Sequence, residues 1–167
     1  AYQLSGNGLK IAVLDKDFFP RDKICGDALS ADVINQLYRM DLELATSFQK
    51  FDKKKPSHGV RFYAPNGTRL DIDFINKAHT DAAGFISKRS DFDHFFFNRV
   101  IELEDIDIFQ NHKITDARTH PDCVAVHTED CVFNAKLVIG ADGANSVINR
   151  KLSTNSFDKH HHCAGLR

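Results

Sequence analysis

The 167-residue sequence predicts an α/β fold in which a parallel sheet is interrupted by antiparallel, hairpin-rich structure. Two observations carry that prediction. Short, almost continuous apolar runs at Leu9-Lys10-Ile11-Ala12-Val13-Leu14-Asp15 and Leu137-Val138-Ile139 read as buried strands. Between them, segments alternate with period two around turn residues, the pattern of hairpins. The balance of 42% hydrophobic and 27% charged residues is that of a chain able to bury a core.

Taken in order, Ala1-Tyr2-Gln3-Leu4 reads as the last turn of a helix, ended by Gly6-Asn7-Gly8 before the first strand. Residues 17–27 form a loop with Pro20 and Gly26. A helix follows, with Ser30 as its cap and Leu29, Val33, Leu37 and Met40 on one face. Lys53-Lys54-Lys55-Pro56 reads as a solvated connection. Val60-Arg61-Phe62-Tyr63 and Leu70-Asp71-Ile72-Asp73-Phe74 alternate on either side of Pro65-Asn66-Gly67 and predict a β-hairpin. Phe85-Ile86-Ser87 is a short strand. Ser90 and Asp93 then read as a capping box for a helix with Phe92, Phe95, Phe96, Val100 and Leu103 on one face, a core stripe. Strands are expected at 106–109, 114–118, 124–127 and 132–135, the last two joined as a hairpin around Glu129-Asp130.

Charge and cysteine usage narrow the function classes. Lys and Arg total 22 against 23 Asp and Glu, so there is no basic excess for a nucleic-acid partner. No apolar run is long enough to span a bilayer, and no signal peptide is expected. Without an initiator Met, the chain reads as processed or incomplete. Cys25, Cys123, Cys131 and Cys163 are scattered, which fits free thiols in a reducing, cytoplasmic setting. His160-His161-His162-Cys163 reads as a solvated polar stretch rather than a metal site, because adjacent residues rarely converge on one ion. No metal is expected.

Three stretches could carry chemistry. Asp15 ends the first strand, where dinucleotide-binding folds place an acidic residue for ribose hydroxyls; the alternative is an exposed strand end. Arg21, Lys23 and Cys25 share the loop closed by Gly26. Two cations there could face a diphosphate or an anionic flavin and favour a thiolate; the alternative is a charged surface loop around a cysteine. Gly140-Ala141-Asp142-Gly143 follows a strand and precedes a helix. Gly140 and Gly143 would let the backbone approach a ligand, and Asp142 would accept from a hydroxyl or hold a basic partner; a tight turn with a capping Asp is the other reading.

These stretches together resemble a known family. Pro20-Arg21-Asp22-Lys23-Ile24-Cys25-Gly26 closely resembles the P-R-x-K-x-C-G signature of geranylgeranyl reductase-type flavoproteins. Gly140-Ala141-Asp142-Gly143-Ala144-Asn145-Ser146 is similar to the GADG-x-x-S motif of the wider flavoprotein monooxygenase group, which has the p-hydroxybenzoate hydroxylase fold. Arg89-Ser90-Asp91-Phe92-Asp93 resembles that group's R-x-x-F/L-D segment. The family's N-terminal G-x-G-x-x-G and its later Gly-Asp motif have no counterpart here, so the sequence is expected to be part of a longer protein.

The resemblance implies a truncated FAD/NAD(P)-binding Rossmann-like domain with an inserted antiparallel-sheet substrate region. Residues 1–50 and 85–167 would form the FAD-binding domain and 51–84 the start of the substrate sheet. The implied enzyme is an FAD-dependent oxidoreductase passing hydride from reduced flavin to prenyl double bonds, with NAD(P)H a candidate electron donor. An aromatic hydroxylase or halogenase keeps the fold and changes the reaction; a non-catalytic nucleotide-binding fragment is the third reading. By the resemblance, Cys25 would be catalytic. Asp15, Arg21, Lys23, Gly26, Arg89, Gly140, Asp142 and Gly143 would bind the cofactor. The implied partner is a small-molecule or lipid substrate, with peripheral membrane contact for a prenyl chain.

Overall fold

A computed structural model describes residues 1–25, 27–73 and 84–153. After a 3₁₀ turn at Tyr2–Leu4 come β1 (Ile11–Leu14), β2 (Ala28–Leu29), α1 (Ala31–Met40), α2 (Leu42–Lys50), β3 (Lys55–Ser57), β4 (Gly59–Tyr63) and β5 (Arg69–Asp73). The second half holds β6 (Gly84–Ile86), α3 (Arg89–Ile101), β7 (Ile106–Phe109), β8 (Ile114–Thr119), β9 (Val124–Thr128), β10 (Val132–Ala135) and α4 (Val147–Leu152). The chain divides into two compact units, one joining Ala1–Phe19 to the described residues from Val100 onward, the other Pro20–Arg99.

In the first unit the apolar run after Gly8 forms β1, which pairs in parallel with β7, Ile11 opposite Ile106 and Leu14 opposite Phe109. Asp105 ties the preceding segment to this pair, accepting from the Ser5 hydroxyl at 2.5 Å and the Gly6 N–H at 2.8 Å. β8, β9 and β10 form an antiparallel meander with a register shift between Ile114 and Asp116. Its core is Ala117, Val126 and Ile148, with Leu14, Phe133, Val138 and Leu152 packed around them.

The expected strand at 137–139 does not form. Val138 packs inward, but Leu137 and Ile139 are exposed, and no strand pairs with them among the described residues. A strand exists only through its ladder of hydrogen bonds, so apolarity alone did not make one.

In the second unit the expected helix forms as α1, and a second helix not expected from the sequence, α2, follows it directly. Asp41 leaves helical geometry, with φ −167° and ψ 130°; its N–H closes α1 on the Leu37 carbonyl, and its carboxylate caps α2 by accepting from Leu44 N–H at 2.6 Å. Ser30 stands at the N-cap of α1 but makes no side-chain cap bond. Leu29, expected on the helix, lies buried in β2 instead; the buried residues of the two helices are Ile34, Leu37, Leu44, Ala45 and Phe48, while Met40 is exposed. Phe48 is the hub of an aromatic cluster with Phe51, Phe85, Phe92 and Phe95, its ring centroids 5.5–6.2 Å from theirs. Phe96 extends the cluster against Phe92 and Phe95.

The lysine run is not merely a solvated connection. Lys54 donates to the carbonyls of Gln49 and Phe51, closing the C-terminus of α2, and lies over the rings of Phe48 and Phe85. Burial lowers its pKa, against the opposing effect of Asp52. Pro56 sits within β3, an outer strand of the antiparallel sheet β2-β6-β3, where a missing N–H is tolerated. Buried Ser87 donates to the Lys53 carbonyl at 2.8 Å, and its N–H reaches the Asp27 carbonyl at 2.9 Å.

The hairpin β4–β5 forms around Gly67, whose φ of +82° suits a residue without a side chain. Val60 faces Ile72 and Phe62 faces Leu70 on one side, Arg61 faces Asp71 on the other, and every residue of both strands is exposed.

Candidate functional site

Within the second unit the loop before β2 and the first turn of α3 meet in an ion cluster. Arg89 opens α3, and four residues later Asp93 lies on the same helix face. Asp93 accepts from Arg89 Nε through Oδ1 at 2.8 Å and from Arg89 Nη2 through Oδ2 at 2.8 Å, a two-point grip. Its Oδ2 also accepts from Arg21 Nη1 at 3.3 Å. All three side chains are well shielded, Asp93 most of all at 12% exposure. The hydrogen bonds that Arg89 donates to Asp93 raise its pKa above the ordinary value against a smaller effect of burial, and the nearby Cys25 side chain adds to the rise. Cys25 is half-buried.

Three residues of the sequence-derived set, Arg21, Cys25 and Arg89, therefore come together. Lys23 does not join them by any described contact: it is exposed, and its backbone N–H turns back to Asp22 Oδ1 at 2.9 Å. Gly26 lies outside the described residues. Asp93 was expected to close a capping box with Ser90, but its oxygens are held by the two arginines. The signal for its real role was the Arg89–Asp93 spacing of four on a helix.

The other set lies in the first unit. Asp15 follows β1; its Oδ1 accepts from Asp17 N–H at 3.0 Å, and its backbone N–H donates to the Phe109 carbonyl. Asp142 organises the start of α4. It accepts from the Ser146 hydroxyl in a short hydrogen bond, from Val147 N–H at 2.7 Å and from Ile148 N–H at 3.2 Å. Ser146 in turn accepts from Asn149 N–H at 2.9 Å. Burial pushes the Asp142 carboxyl up, but these hydrogen bonds outweigh it and hold the pKa below the ordinary value. The first three N–H groups of α4 are thus satisfied within the chain.

Gly140 has a structural reason to be glycine. A Cβ there would stand 2.8 Å from Ile148 Cγ2, a buried core atom. Gly143 adopts φ +82° with open space around it. Among the described residues no group of His, Cys, Asp and Glu could hold a metal, and no helix is long and apolar enough to cross a membrane. The His160–His162 run lies outside them.

A cofactor with anionic groups fits these residues unevenly. The Arg21–Asp93–Arg89 cluster sets two guanidiniums against one carboxylate, leaving one positive charge. At Asp142 the backbone donors are already used.

No family model matches the chain. It is 23% identical over 150 residues to an uncharacterized protein of Methanosarcina barkeri, covering 90% of this chain and 35% of that one. Its fold matches p-nitrophenol 4-monooxygenase PnpA from Pseudomonas putida DLL-E4, with a TM-score of 0.74 and 19% identity over 92% of this chain and 40% of that one. It also matches the halogenase PltM solved with phloroglucinol and FAD, with a TM-score of 0.70 and 21% identity over 89% of this chain and 32% of that one. The chain spans about a third of the curated relative it matches. The likeness is one of fold, to a part of each of these two proteins.

Proposed function

We propose that the chain is part of an FAD-dependent oxidoreductase of the monooxygenase or halogenase type. The observation that supports this reading most is the fold likeness over nine-tenths of the chain to PnpA and to PltM, the latter solved with FAD. Bound flavin would supply the redox chemistry, while the protein's part is to bind, orient and shield it. Arg21 and Arg89 would offer the positive charge for an anionic part of the cofactor.

Prenyl reduction is the second reading, favoured by one observation. Arg21 and Cys25, both from the P-R-x-K-x-C-G stretch, lie near the Arg89–Asp93 pair. The test is FAD titration of the protein by flavin absorbance and fluorescence, followed by turnover with NAD(P)H as donor. Flavin binding that Arg89→Gln weakens supports the flavoprotein reading, and absence of binding by the full-length protein refutes it. Oxygen uptake coupled to an aromatic substrate favours the monooxygenase; reduction of a prenyl double bond without oxygen uptake favours the reductase.

A further inference from the structure

We propose that Asp93 is a positioning residue, one carboxylate that ties the loop bearing Arg21 to α3 and holds two guanidiniums together as a receiver for the anionic part of a flavin nucleotide. The inference rests on the flavoprotein reading for the identity of the anion, and deepens it by naming the residue that assembles the binding group. Asp93 joins contacts from two elements. Arg89 of α3 grips it through Nε and Nη2, both at 2.8 Å, and Arg21 of the loop before β2 reaches its Oδ2 through Nη1 at 3.3 Å. Two guanidiniums repel one another, so an anion between them is what lets them stand close. The side chains of Arg21, Asp93 and Arg89 are 20%, 12% and 22% exposed, so water and salt screen that repulsion little. A guanidinium is planar, and a two-point grip on one edge of Arg89 fixes where its remaining N–H groups point.

Charge and geometry give opposite expectations for the loss of this carboxylate. The three side chains are two cations and one anion, and removing the anion leaves both cations uncompensated. Were Asp93 only a counter-charge, Asp93→Asn would make the site more positive and tighten its hold on an anion. As a positioning residue it does the reverse. The asparagine side chain keeps the shape but offers one acceptor oxygen and an NH2 group, which is a donor facing donors. Arg89 then loses its two-point grip, the two cations repel, and the loop bearing Arg21 loses its anchor on α3. The positive charge is greater but no longer assembled.

The experiment is FAD titration of the full-length protein by flavin fluorescence at about 10 mM ionic strength, where screening is weak and a pure charge effect is largest. Asp93→Asn should weaken FAD binding by about three- to tenfold, as for the loss of a charge-assisted hydrogen bond. Asp93→Glu keeps the charge but displaces the carboxylate by one methylene, and should fall between Asp93→Asn and wild type. Anchoring of the loop is read without flavin, by tryptic cleavage after exposed Lys23, with exposed Lys113 of the other unit as the control for general loosening. Lys23 should be cut about threefold faster in Asp93→Asn with Lys113 unchanged, and adding Arg21→Gln should have no further effect, because both changes break one contact. Tighter or unchanged FAD binding in folded Asp93→Asn overturns the proposal, and so does unchanged cleavage at Lys23. If Asp93→Asn does not fold by circular dichroism, Asp93→Glu decides: wild-type affinity or wild-type cleavage in that variant overturns the proposal. Absence of FAD binding by the wild type overturns the flavoprotein reading instead, and cleavage at Lys23 then decides the role of Asp93 by itself.

Discussion

Asp93 and Asp142 are both aspartates near the start of a helix, and their surroundings give them different work. Asp93 faces guanidiniums and accepts from side chains. Asp142 faces bare N–H groups and accepts from Ser146 and two of them, so its first duty is to α4. Asp142→Ala leaves those donors without partners and should lower stability by about 1–2 kcal/mol, the usual cost of a lost cap, read as a drop in the urea midpoint. Any fall in FAD affinity in that variant must be compared with this loss. Asp116 is a third case. Hydrogen bonds from Lys151 and then Arg118 hold its pKa at about 2, and the Lys151 contact ties α4 to β8. Its folded value lies below the unfolded value of about 3.9, so its stabilisation is present above that pH and is lost as pH falls towards 2. Urea unfolding of Asp116→Asn and wild type should therefore differ at pH 7 and converge near pH 2. A difference of equal size at both values would contradict the assignment.

At the scale of elements, Phe48 shows what holds the second unit together. It is 1% exposed, on the inner face of α2, and touches aromatic rings from β6 and α3. Phe48→Ala should cost about 3–5 kcal/mol by cavity formation, measured by denaturant unfolding; a loss below 1 kcal/mol would mean that the cluster closes over the gap. The sequence made this cluster legible only in part. The Phe92, Phe95, Phe96 stripe follows helical spacing and was readable, and so were the period-two strands of β4–β5 and of the 124–135 hairpin. Helix α2 was passed over because its start lies in Asp41, one residue after a helix that could equally have run on. Residues 137–139 show the reverse failure, since an apolar run reports burial potential and says nothing of a pairing partner. Among candidate residues, Arg21, Cys25 and Arg89 were singled out by motif, and the fold brings them near one another. Asp93 was misassigned because a carboxylate three residues after a serine satisfies the local capping pattern, whereas its partners are fixed by tertiary contact.

For the whole molecule, the division into two units has a sequence consequence: Pro20–Arg99 is one continuous stretch, while the other unit must unite residues on both sides of it. β1 finds β7 only after a detour through that stretch, Ile11 meeting Ile106. Closing so long a loop in an unfolded chain is entropically unfavourable, although each doubling of loop length adds only about 0.6 kcal/mol. A folded intervening stretch is a smaller, stiffer connector than a loose one, so order in time should follow continuity in sequence. During synthesis α1, α2, α3, the β2-β6-β3 sheet and the aromatic cluster can assemble before Ile106–Phe109 leaves the ribosome, whereas β1 must wait. Pulsed hydrogen exchange during refolding should show amides of α2 and β6 protected before those of Val13 and Leu14. Earlier protection in β1 would place nucleation at the parallel pair instead. A chain built this way is most exposed to misassociation in the interval when β1 is made and its mate is not, an interval whose length is set by translation speed through Pro20–Arg99 rather than by the stability of the finished fold.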